Sequence, residues 1–431
     1  MLRVRAMLVG GAVAGAALLA IPIGLTATQG GTVQAPRFEV DPLWPRPMPN
    51  HWLLGSATGI AIDERDHVYV VHLTDSFVAR TEIGLATNPP TGECCAPAPN
   101  VLEFDPAGNL VNSWGGPGQG YDWPTQNAGL TIDPTGNIWI GGIGGTDTRV
   151  LKFARDGKFI AQFGAAVQLR ANPDAGRGAQ DTAYAGVSRG AQAAGGRGGR
   201  GGRGGRGAPQ PSAPPASTSM EMFGGAADFA FDRAANEAYV ADGFRNRRVA
   251  VVDVNTGRIK RYFGAYGDAP DDTSLPAYSP SAPLPRQFAT VRCVSRSGDG
   301  LLYVCDARNN RIQVFRGDGS FVREGRIAPA TLAAGSVWDV TFSRDPQQRY
   351  LYVADGSNMK IHVVDRQSLE LLTSFGDGGR YPGQFLAVSG VATDSKGNLY
   401  TVEADQGKRL QRFVFKGVGS VSRNQGVLWP R

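Results

Sequence analysis

The stretch VADGFRNRRVAVVDVNTG (residues 240–257) decides the fold, because its pattern occurs twice more along the chain. VCDARNNRIQVFRGDG (304–319) and VADGSNMKIHVVDRQS (353–368) have the same order of features: a β-rich run ending in Asp, a short polar turn, a basic residue and a second β-rich run. A phrase that returns along one chain indicates a repeat architecture in which each copy is one structural unit.

Six copies of a strand, a polar turn and a second strand can be aligned, and most continue into two further strands. The turns between the added strands, such as RDG, NTG and GDG, are typical of hairpins. Four antiparallel strands per copy, repeated six times, predict an all-β fold, a six-bladed β-propeller. A closed ring lets every blade pack on two neighbours and leaves only short strand edges. The copies begin at Thr58, Ala128, Ala227, Arg292, Trp338 and Ser389.

The sixth copy shows three clear strands, so a fourth strand must come from elsewhere to complete its blade. One candidate is FEV (residues 38–40), which would close the ring with the N-terminal part of the chain. The other is GVGSV (417–421), which directly follows the third strand. The sequence leaves both alternatives open.

The first residues have the pattern of an export signal. Arg3 and Arg5 precede an uncharged apolar run over residues 6–25, and a basic segment followed by such a run is typical of secretory signals. The run is also nearly long enough to span a bilayer. Residues 1–35 are therefore predicted to be a signal peptide or an uncleaved N-terminal anchor. Either one places the propeller, residues 36–431, outside the cytoplasm, as a periplasmic, secreted or membrane-anchored protein.

Export makes disulfides chemically accessible, and the chain has four cysteines. Cys293 and Cys305 lie in the first and second strands of the fourth copy. A hairpin there places cross-strand Cβ atoms about 5 Å apart, which is near the range that a disulfide accepts, so we predict this bond. Cys94 and Cys95 are adjacent, and the sequence leaves open a vicinal disulfide, two separate thiols or pairing with other cysteines.

Residues 165–219 are predicted to be a disordered insertion within the propeller. They are rich in Gly, Ala and Pro, and they nearly lack the large apolar residues that a core requires. Their seven Arg and two Asp account for most of the chain's net charge of +6. The tract GRGGRGGRGGRG (196–207) is similar to segments that bind single-stranded nucleic acid. In an exported protein we expect a solvated loop and no specific nucleic-acid partner.

The phrase D-x-x-N-x-R/K-I resembles the NHL repeat. Together with FEVDPLWPRPMPNHW (38–52), CCAPAPNVLEFDPAGNLVNSWGGPG (94–118) and SVWDVTFSRDPQQRYLYVADG (336–356), it makes the chain similar to exported bacterial six-bladed NHL propellers. Their best-understood relative is the peptidyl-hydroxyglycine amidating lyase domain. The resemblance covers about residues 38–415 apart from the insertion, and it implies the fold more specifically than an activity.

The lyase resemblance implies a zinc ion held by three His at the starts of innermost strands, with catalytic Arg and Tyr residues nearby. Neutral imidazole is a good zinc ligand, but none of the matching positions is a His. Every matched position departs from the lyase pattern, so we predict that this zinc chemistry is absent. We expect no cofactor, with only a structural calcium ion left open. The zinc positions correspond to Ala128, Arg292 and Ser389, and the catalytic positions to Leu73, Phe244 and Ala307, with Arg308 adjacent.

The repeated phrase is interpreted as structural. Asp and Asn can bond the backbone of their own turn, and the basic side chain can reach back to the Asp. These residues recur in several copies, whereas a binding site need form only once. The Asp positions are Asp242, Asp306 and Asp355, the Asn positions are Asn246, Asn309 or Asn310, and Asn358, and the basic positions are Arg248, Arg311 and Lys360.

One set of side chains is predicted to bind a ligand at the mouth of the channel. Among the six residues that begin the innermost strands, Arg292 is the only charged one and Trp338 the only aromatic one. A guanidinium beside an indole suits a small anionic ligand with an apolar portion, or the end of a peptide. The alternative is that Arg292 pairs with a neighbouring acid such as Asp306 and closes the channel. The predicted ligand-binding set is His72, Phe244, Arg292, Arg308, Trp338 and Ser389.

Two functions from different classes remain. The first is a monomeric binding module that recognises a small anionic ligand, a peptide, a glycan or a partner protein, since propellers offer a ready concave face. The second is an enzyme, a lyase- or lactonase-like hydrolase with a non-standard site such as calcium held by carboxylates in the channel. The sequence favours the binding module and leaves the question of catalysis undecided.

Overall fold

Six antiparallel sheets of four strands each make up the ring, which confirms the predicted all-β six-bladed propeller. The computed structural model describes residues 31–166, 169–170, 210–211 and 216–430. Most of the predicted export segment and most of the predicted insertion lie outside these ranges. Within them, none of the helices has both the length and the apolar character that crossing a bilayer needs.

In blades 1 to 5 the strands run outward from the channel in chain order. Blade 1 consists of Ser56–Ile62, Val68–Leu73, Val101–Phe104 and Leu110–Trp114. Blade 2 consists of Asn127–Ile132, Ile138–Gly142, Val150–Phe153 and Phe159–Phe163. Blade 3 consists of Ala226–Asp232, Glu237–Asp242, Arg248–Asp253 and Ile259–Phe263. Blade 4 consists of Val291–Arg296, Leu302–Asp306, Arg311–Phe315 and Phe321–Arg326. Blade 5 consists of Asp339–Phe342, Tyr350–Asp355, Lys360–Asp365 and Leu371–Phe375. Blade 6 consists of Val388–Thr393, Leu399–Glu403, Arg409–Val421 and Val33–Asp41.

The connections carry only short elements in the described ranges. We call the side of the ring with the turns between second and third strands the top face. The short strand pairs are Trp52–Leu53 with Ala96–Pro97, and Leu169–Arg170 with Gln210–Pro211. The helical turns are the α-helix Ala79–Glu82 and the 3-10 helices Gly84–Ala86, Ala265–Gly267 and Ala307–Asn309.

The N-terminal strand Val33–Asp41 closes the ring, because it pairs with Arg409–Val421 as the outermost strand of blade 6. Phe38 lies opposite Phe415 in this pairing and packs on Tyr352 of blade 5, with ring centroids 5.5 Å apart. The alternative segment, residues 417–421, belongs to the third strand instead. Since the closing strand begins at residue 33, the propeller starts before the predicted boundary at residue 36.

The repeated phrase forms a buried ion pair at the top of the blade. In blade 3, Arg248 Nε donates to Asp242 Oδ2 over 2.7 Å, and Asn246 Nδ2 donates to the same oxygen over 2.8 Å. In blade 4, Arg311 Nε donates to Asp306 Oδ2 over 2.9 Å. All four charged side chains are fully buried. Because the same contact recurs in two blades, the structural interpretation of the phrase holds for both.

Blade 5 departs from this pattern. His362 Nε2 lies 2.9 Å from Asp355 Oδ2, and Asn358 Nδ2 donates to the same carboxylate over 2.7 Å. Lys360 Nζ instead lies 3.5 Å from Asn424 Oδ1. The prediction that Lys360 serves Asp355 is therefore wrong. His362 takes its place because side chains two residues apart on a strand lie on the same face.

All four cysteines are disulfide-bonded. Cys293 lies directly opposite Cys305 in the pairing of the first two strands of blade 4, and the two are joined, as predicted. Of the alternatives for Cys94 and Cys95, the structure contains the vicinal disulfide.

Both ends of the predicted insertion, residues 165–219, belong to the propeller. The amide of Ala165 donates to Glu221 O over 2.7 Å. Ser217 is fully buried, its amide donates to Asp272 Oδ2 over 3.0 Å, and its carbonyl accepts from Arg248 over 2.8 Å. The predicted boundaries are therefore too wide, since Ala165 and Ser217 contribute to the body of the ring.

Deleting residues 171–209 and joining Arg170 to Gln210 through a short Gly–Ser turn is expected not to lower the melting temperature and to raise it by a few degrees at most. Loop length alters stability by only about 0.6 kcal/mol per doubling. Deleting residues 165–219 is expected to lower the melting temperature by several degrees, because it also removes carbonyl acceptors of the buried Arg248. Differential scanning calorimetry of the two variants checks this, and equal melting temperatures would contradict it.

Candidate functional site

The beginnings of the innermost strands converge on the channel and line one cavity of about 40 Å³. A water molecule needs about 10–15 Å³ of such space, so the cavity has room for an ion or a few waters. An organic ligand does not fit inside it. The six aligned first residues all line it: Thr58, Ala128, Ala227, Arg292, Trp338 and Ser389. The next layer of the wall includes Gly59, Gly129, Asp228, Asp339 and Gly390.

Gly129 shows how closely neighbouring blades approach at the channel. Its φ is +57°, and a Cβ added there would lie 2.2 Å from the carbonyl oxygen of Ala227 in blade 3. Only glycine tolerates both the left-handed backbone and this contact. The cavity is narrow at this point because backbone, not side chain, forms its wall.

Arg292 and Trp338 are stacked at the mouth of the cavity. The guanidinium carbon of Arg292 lies 3.7 Å from the centroid of the indole ring, and only 8% of Arg292 and 2% of Trp338 is exposed. Trp338 Nε1 donates to Gly335 O over 2.9 Å, which fixes the ring. Cation–π contacts are strongest when water is excluded, so this buried pair forms a firm part of the channel wall.

Asp306, the acid predicted as the alternative partner of Arg292, bonds other groups. Its Oδ2 binds Arg311, and its Oδ1 accepts the amide N–H groups of Ala289 and Thr290 over 2.9 and 3.1 Å. The carboxylate thus serves its own turn. The charge of Arg292 acts on other acids, since it lowers the pKa of Asp339 against the larger effect of burial.

Two carboxylates line the same cavity as the Arg292–Trp338 stack. Oxygens of Asp228 and Asp339 lie within 4.8 Å of each other and of Cys293 Sγ. Asp228 Oδ2 accepts the amide of Val294 in blade 4 over 3.1 Å, and Asp339 Oδ2 accepts the amide of Val391 in blade 6 over 2.8 Å. Each carboxylate therefore links its own blade to the next one.

The environment of the pair favours protonation. Desolvation in the channel wall raises the pKa of Asp228 to about 6. The pKa of Asp339 is raised well above its ordinary value, first by burial and then by the charge of Asp228. Two carboxylates this close cannot both ionise without cost, so the pair holds a proton or a cation more readily than isolated acids do.

The sequence interpretation missed this pair. Asp228 and Asp339 each follow directly after a first residue of the ring, Ala227 and Trp338. An acid in the same place of two aligned copies is a signal that could have found them. The set of first residues does not include this second layer of the wall.

The other predicted site residues are placed differently from one another. Ser389 and Phe244 line the cavity, and the Ser389 hydroxyl donates to Ala57 O over 2.7 Å. His72 is not among the lining residues: its Nδ1 accepts the amide of Gly55 over 3.1 Å and its Nε2–H donates to Pro99 O over 2.9 Å. Burial lowers the pKa of His72 to about 4. His72 therefore hydrogen-bonds backbone groups and does not line the channel.

Arg308 also lies away from the channel. It follows the buried Ala307 in the 3-10 turn Ala307–Asn309, is exposed, and lines a separate groove on the top face. The predicted set is therefore divided: Arg292, Trp338, Phe244 and Ser389 are brought together, whereas His72 and Arg308 are not.

The zinc ion implied by the lyase resemblance does not fit these residues. Ala128 has no donor atom, and the Arg292 guanidinium would repel a cation. The Ser389 hydroxyl donates to a carbonyl. The three positions therefore offer no tetrahedral nitrogen or sulfur set.

A second acidic cluster lies at the opposite end of blade 1. His67 Nδ1 is 2.7 Å from Glu103 Oε1, and Arg65 Nη2 lies 2.6 Å from Asp63 Oδ2 and 3.0 Å from Glu103 Oε1. The guanidinium of Arg65 pairs with both carboxylates, and Arg155 adds a second positive charge 3.7 Å from Asp63 Oδ2. This cluster is an ion-pair network and not a metal site.

The ring of six four-stranded blades around a closed channel defines the class of the protein as a six-bladed β-propeller. No family model matches the chain, and no curated protein sequence does. Among solved structures it is similar to a catalytically inactive variant of virginiamycin B lyase from Staphylococcus aureus with quinupristin. That comparison has 12% identity and a TM-score of 0.44, and it covers 91% of this chain and 89% of the other. The selenomethionine-substituted lyase gives 12% identity and a TM-score of 0.43, with 90% and 89% covered. Similarity of this degree carries no information on activity.

Proposed function

We propose that the chain is an exported, NHL-type propeller that acts as a binding module and not as an enzyme. The observation that carries this proposal is the narrow channel. The cavity that Arg292, Trp338, Asp228 and Asp339 line has a volume of about 40 Å³, so the two carboxylates have no room for an organic substrate. Catalysis needs a reacting atom within hydrogen-bond reach of the catalytic group. Recognition at the top face has no such requirement.

The repeated phrase supports the family part of the proposal. Asp–Asn–Arg contacts hold blades 3 and 4 in the same way, as expected of a repeat in which each copy stabilises its own turn. The departures from the lyase pattern at Ala128, Arg292 and Ser389 support the absence of amidating-lyase chemistry. Export is supported by the basic and apolar N-terminal residues of the sequence.

The acidic residues of the channel favour a ligand of the opposite charge to the predicted anion. Asp339 and the half-buried Asp405 both feel the charge of Arg292, and Asp228 lies next to Asp339. Three acids and one base favour a cation over an anion. The anionic ligand predicted for this place therefore fits the channel poorly.

A second candidate function is a metal-dependent hydrolase, which the Asp228–Asp339 pair favours. Carboxylate oxygens are the ligands that Ca²⁺ prefers, and acids with raised pKa values in a cleft are typical of catalytic sites. If a calcium ion enters the channel, Asp228 and Asp339 are the side chains that would hold it. We rank this candidate second because a cavity of about 40 Å³ has no room for an organic substrate.

Metal content and turnover separate the two candidates. The purified full chain is assayed with para-nitrophenyl acetate, a γ-lactone and a hydroxyglycine peptide, before and after treatment with EDTA, and its metals are measured by plasma mass spectrometry. We expect no turnover above buffer and no metal at one equivalent. Hydrolysis that EDTA or Asp228→Asn abolishes would overturn the binding-module proposal. The matched control is Asp271→Asn, because Asp271 is fully exposed and lies outside the channel lining.

A further inference from the structure

A groove of about 760 Å³ lies on the top face, outside the channel. It is formed by the long connection between blades 3 and 4, the top turn of blade 4 and the connection from blade 4 to blade 5. We call it the arginine groove. Its volume is within the range of sites that enclose small organic ligands, about 300–1,000 Å³. The lining residues used below are Arg247, Leu275, Pro276, Leu284, Arg308 and Leu332.

The charge of the arginine groove is positive. Arg247 and Arg308 are the charged residues that line it, and no Asp or Glu does. Arg308 is exposed, and no hydrogen bond or ion pair connects it to the described part of the chain. The groove thus presents at least one guanidinium whose donors are open to a ligand.

Arg247 is held in place by the backbone. Its Nη1 donates to Asp271 O over 3.2 Å and to Thr273 O over 2.5 Å. The pKa of Asp271 is lowered mainly by the hydroxyl and amide of Thr273, which donate to it over 2.6 and 2.8 Å, and less by Arg247; this carboxylate is exposed. Carbonyl contacts position the guanidinium without cancelling its charge.

Much of the rest of the wall is apolar and rich in proline. Leu275, Pro276 and Leu284 come from the connection between blades 3 and 4, and Leu332 comes from the opposite side with 59% of its surface exposed. An exposed leucine beside a concave surface marks a site for an apolar group. The ring of proline fixes φ, so this wall loses little freedom on binding.

Hydrogen bonds fasten both sides of the arginine groove to the propeller. The Tyr278 hydroxyl donates to Pro329 O over 2.6 Å and accepts from Arg326 Nη2 over 2.6 Å. Asn310 Nδ2 donates to Thr331 O over 2.7 Å. The groove is therefore formed before a ligand arrives, which lowers the cost of binding.

We propose that the arginine groove binds a small organic anion, namely a carboxylate on an apolar body. The carboxylate contacts Arg247 and Arg308, and the apolar body packs on Pro276 and Leu332. Guanidinium groups match carboxylates in charge and geometry. The inference rests on the proposed binding function and names the chemical class of the ligand. It also moves the expected anion site from the channel mouth to this groove.

Titration calorimetry of the full chain with decanoate, decanol and decylamine tests the charge requirement. We expect decanoate to bind with one-to-one stoichiometry and decanol about tenfold or more weakly, because the alcohol lacks the charge that the arginines complement. Decylamine is expected not to bind. Equal affinity for decanoate and decanol would overturn the proposal. Decyl phosphate distinguishes the anion class: tighter binding than decanoate would replace carboxylate by phosphate as the ligand.

Two variants locate the site. Arg308→Gln removes an exposed side chain without a structural partner, so folding is preserved, and the affinity for decanoate is expected to fall about tenfold. Arg316→Gln is the matched control, because Arg316 is exposed in a turn of the same blade at the opposite end and is expected to leave affinity unchanged. Unchanged affinity in Arg308→Gln would place the ligand elsewhere. Hydrolase activity would refute the proposed function and leave this result intact, so the two failures are distinguishable.

Discussion

Replacing Arg248 by Ala is expected to lower the free energy of unfolding by about 3–5 kcal/mol, the usual cost of removing one partner of a buried ion pair. Arg248 and Asp242 are both fully buried, with Nε 2.7 Å from Oδ2. The guanidinium also donates to Ser217 O and Met222 O over 2.8 and 2.9 Å. Alanine leaves the Asp242 carboxylate and these carbonyls without a cation in a place that water does not reach.

Lys360→Ala is the matched control, because Lys360 occupies the same position of the repeated phrase in blade 5. Its ammonium lies 3.5 Å from Asn424 Oδ1, and Asp355 is served by His362 and Asn358. Its removal is expected to change stability by less than about 0.5 kcal/mol. Urea unfolding followed by tryptophan fluorescence measures both variants. Equal losses would mean that the position in the phrase, and not the buried contact, determines the energy.

The fold was predictable because its signal is local. Strand, turn and strand alternate in each copy, so six copies can be counted before any long-range contact is known. The opposed cysteines Cys293 and Cys305 follow from the same hairpin geometry. Lys360 shows the limit of this approach. A phrase records which residue type stands at a position, but the choice between Lys360 and His362 depends on which of two same-face side chains reaches Asp355.

The candidate site was predictable only in its first layer. The residues that begin the innermost strands surround the channel because every blade contributes the same position. Asp228 and Asp339 come together through the order of blades around the ring, which no single copy contains. His72 donates to the carbonyl of Pro99, which lies at the far end of the long connection between the second and third strands of blade 1. Arg308 is exposed because it lies in a 3-10 turn in which the neighbouring Ala307 takes the buried position. Such placements depend on tertiary contacts that periodicity does not record.

Replacing Asp228 by Asn is expected to stabilise the protein by roughly 1–3 kcal/mol at about pH 8 and to have little effect at about pH 4. The pKa of Asp228 is raised from 3.8 to about 6 in the folded state. The unfolded chain therefore ionises first as pH rises. The stability associated with the protonated carboxyl is complete below about pH 4 and is lost as pH rises through about 6. The Asp228→Asn variant has no carboxyl group at this position, so its stability lacks this pH dependence.

Asparagine can keep the hydrogen bonds of Asp228 with Val294 and Thr131. Its Oδ1 can accept the Val294 amide, and its Nδ2 can donate to the Thr131 hydroxyl oxygen, which now donates to the carboxylate. Asp339→Asn is the contrasting variant, because Asp339 accepts amides on both oxygens, from Val340 and Val391. An NH₂ group facing one of those amides is expected to offset any gain from the lost charge.

Urea unfolding at about pH 4 and about pH 8 measures the effect of Asp228→Asn, with and without millimolar calcium. A gain at high pH without calcium shows that the ionised pair is a strain on the native channel. A loss at both pH values would contradict this, because it would mean that the charged carboxylate is needed by a partner. The channel has room for one ion, and a cation there would reverse the sign of the effect by compensating Asp228 and Asp339. The direction of the pH 8 result therefore distinguishes a proton shared by two carboxylates from an ion that both of them hold.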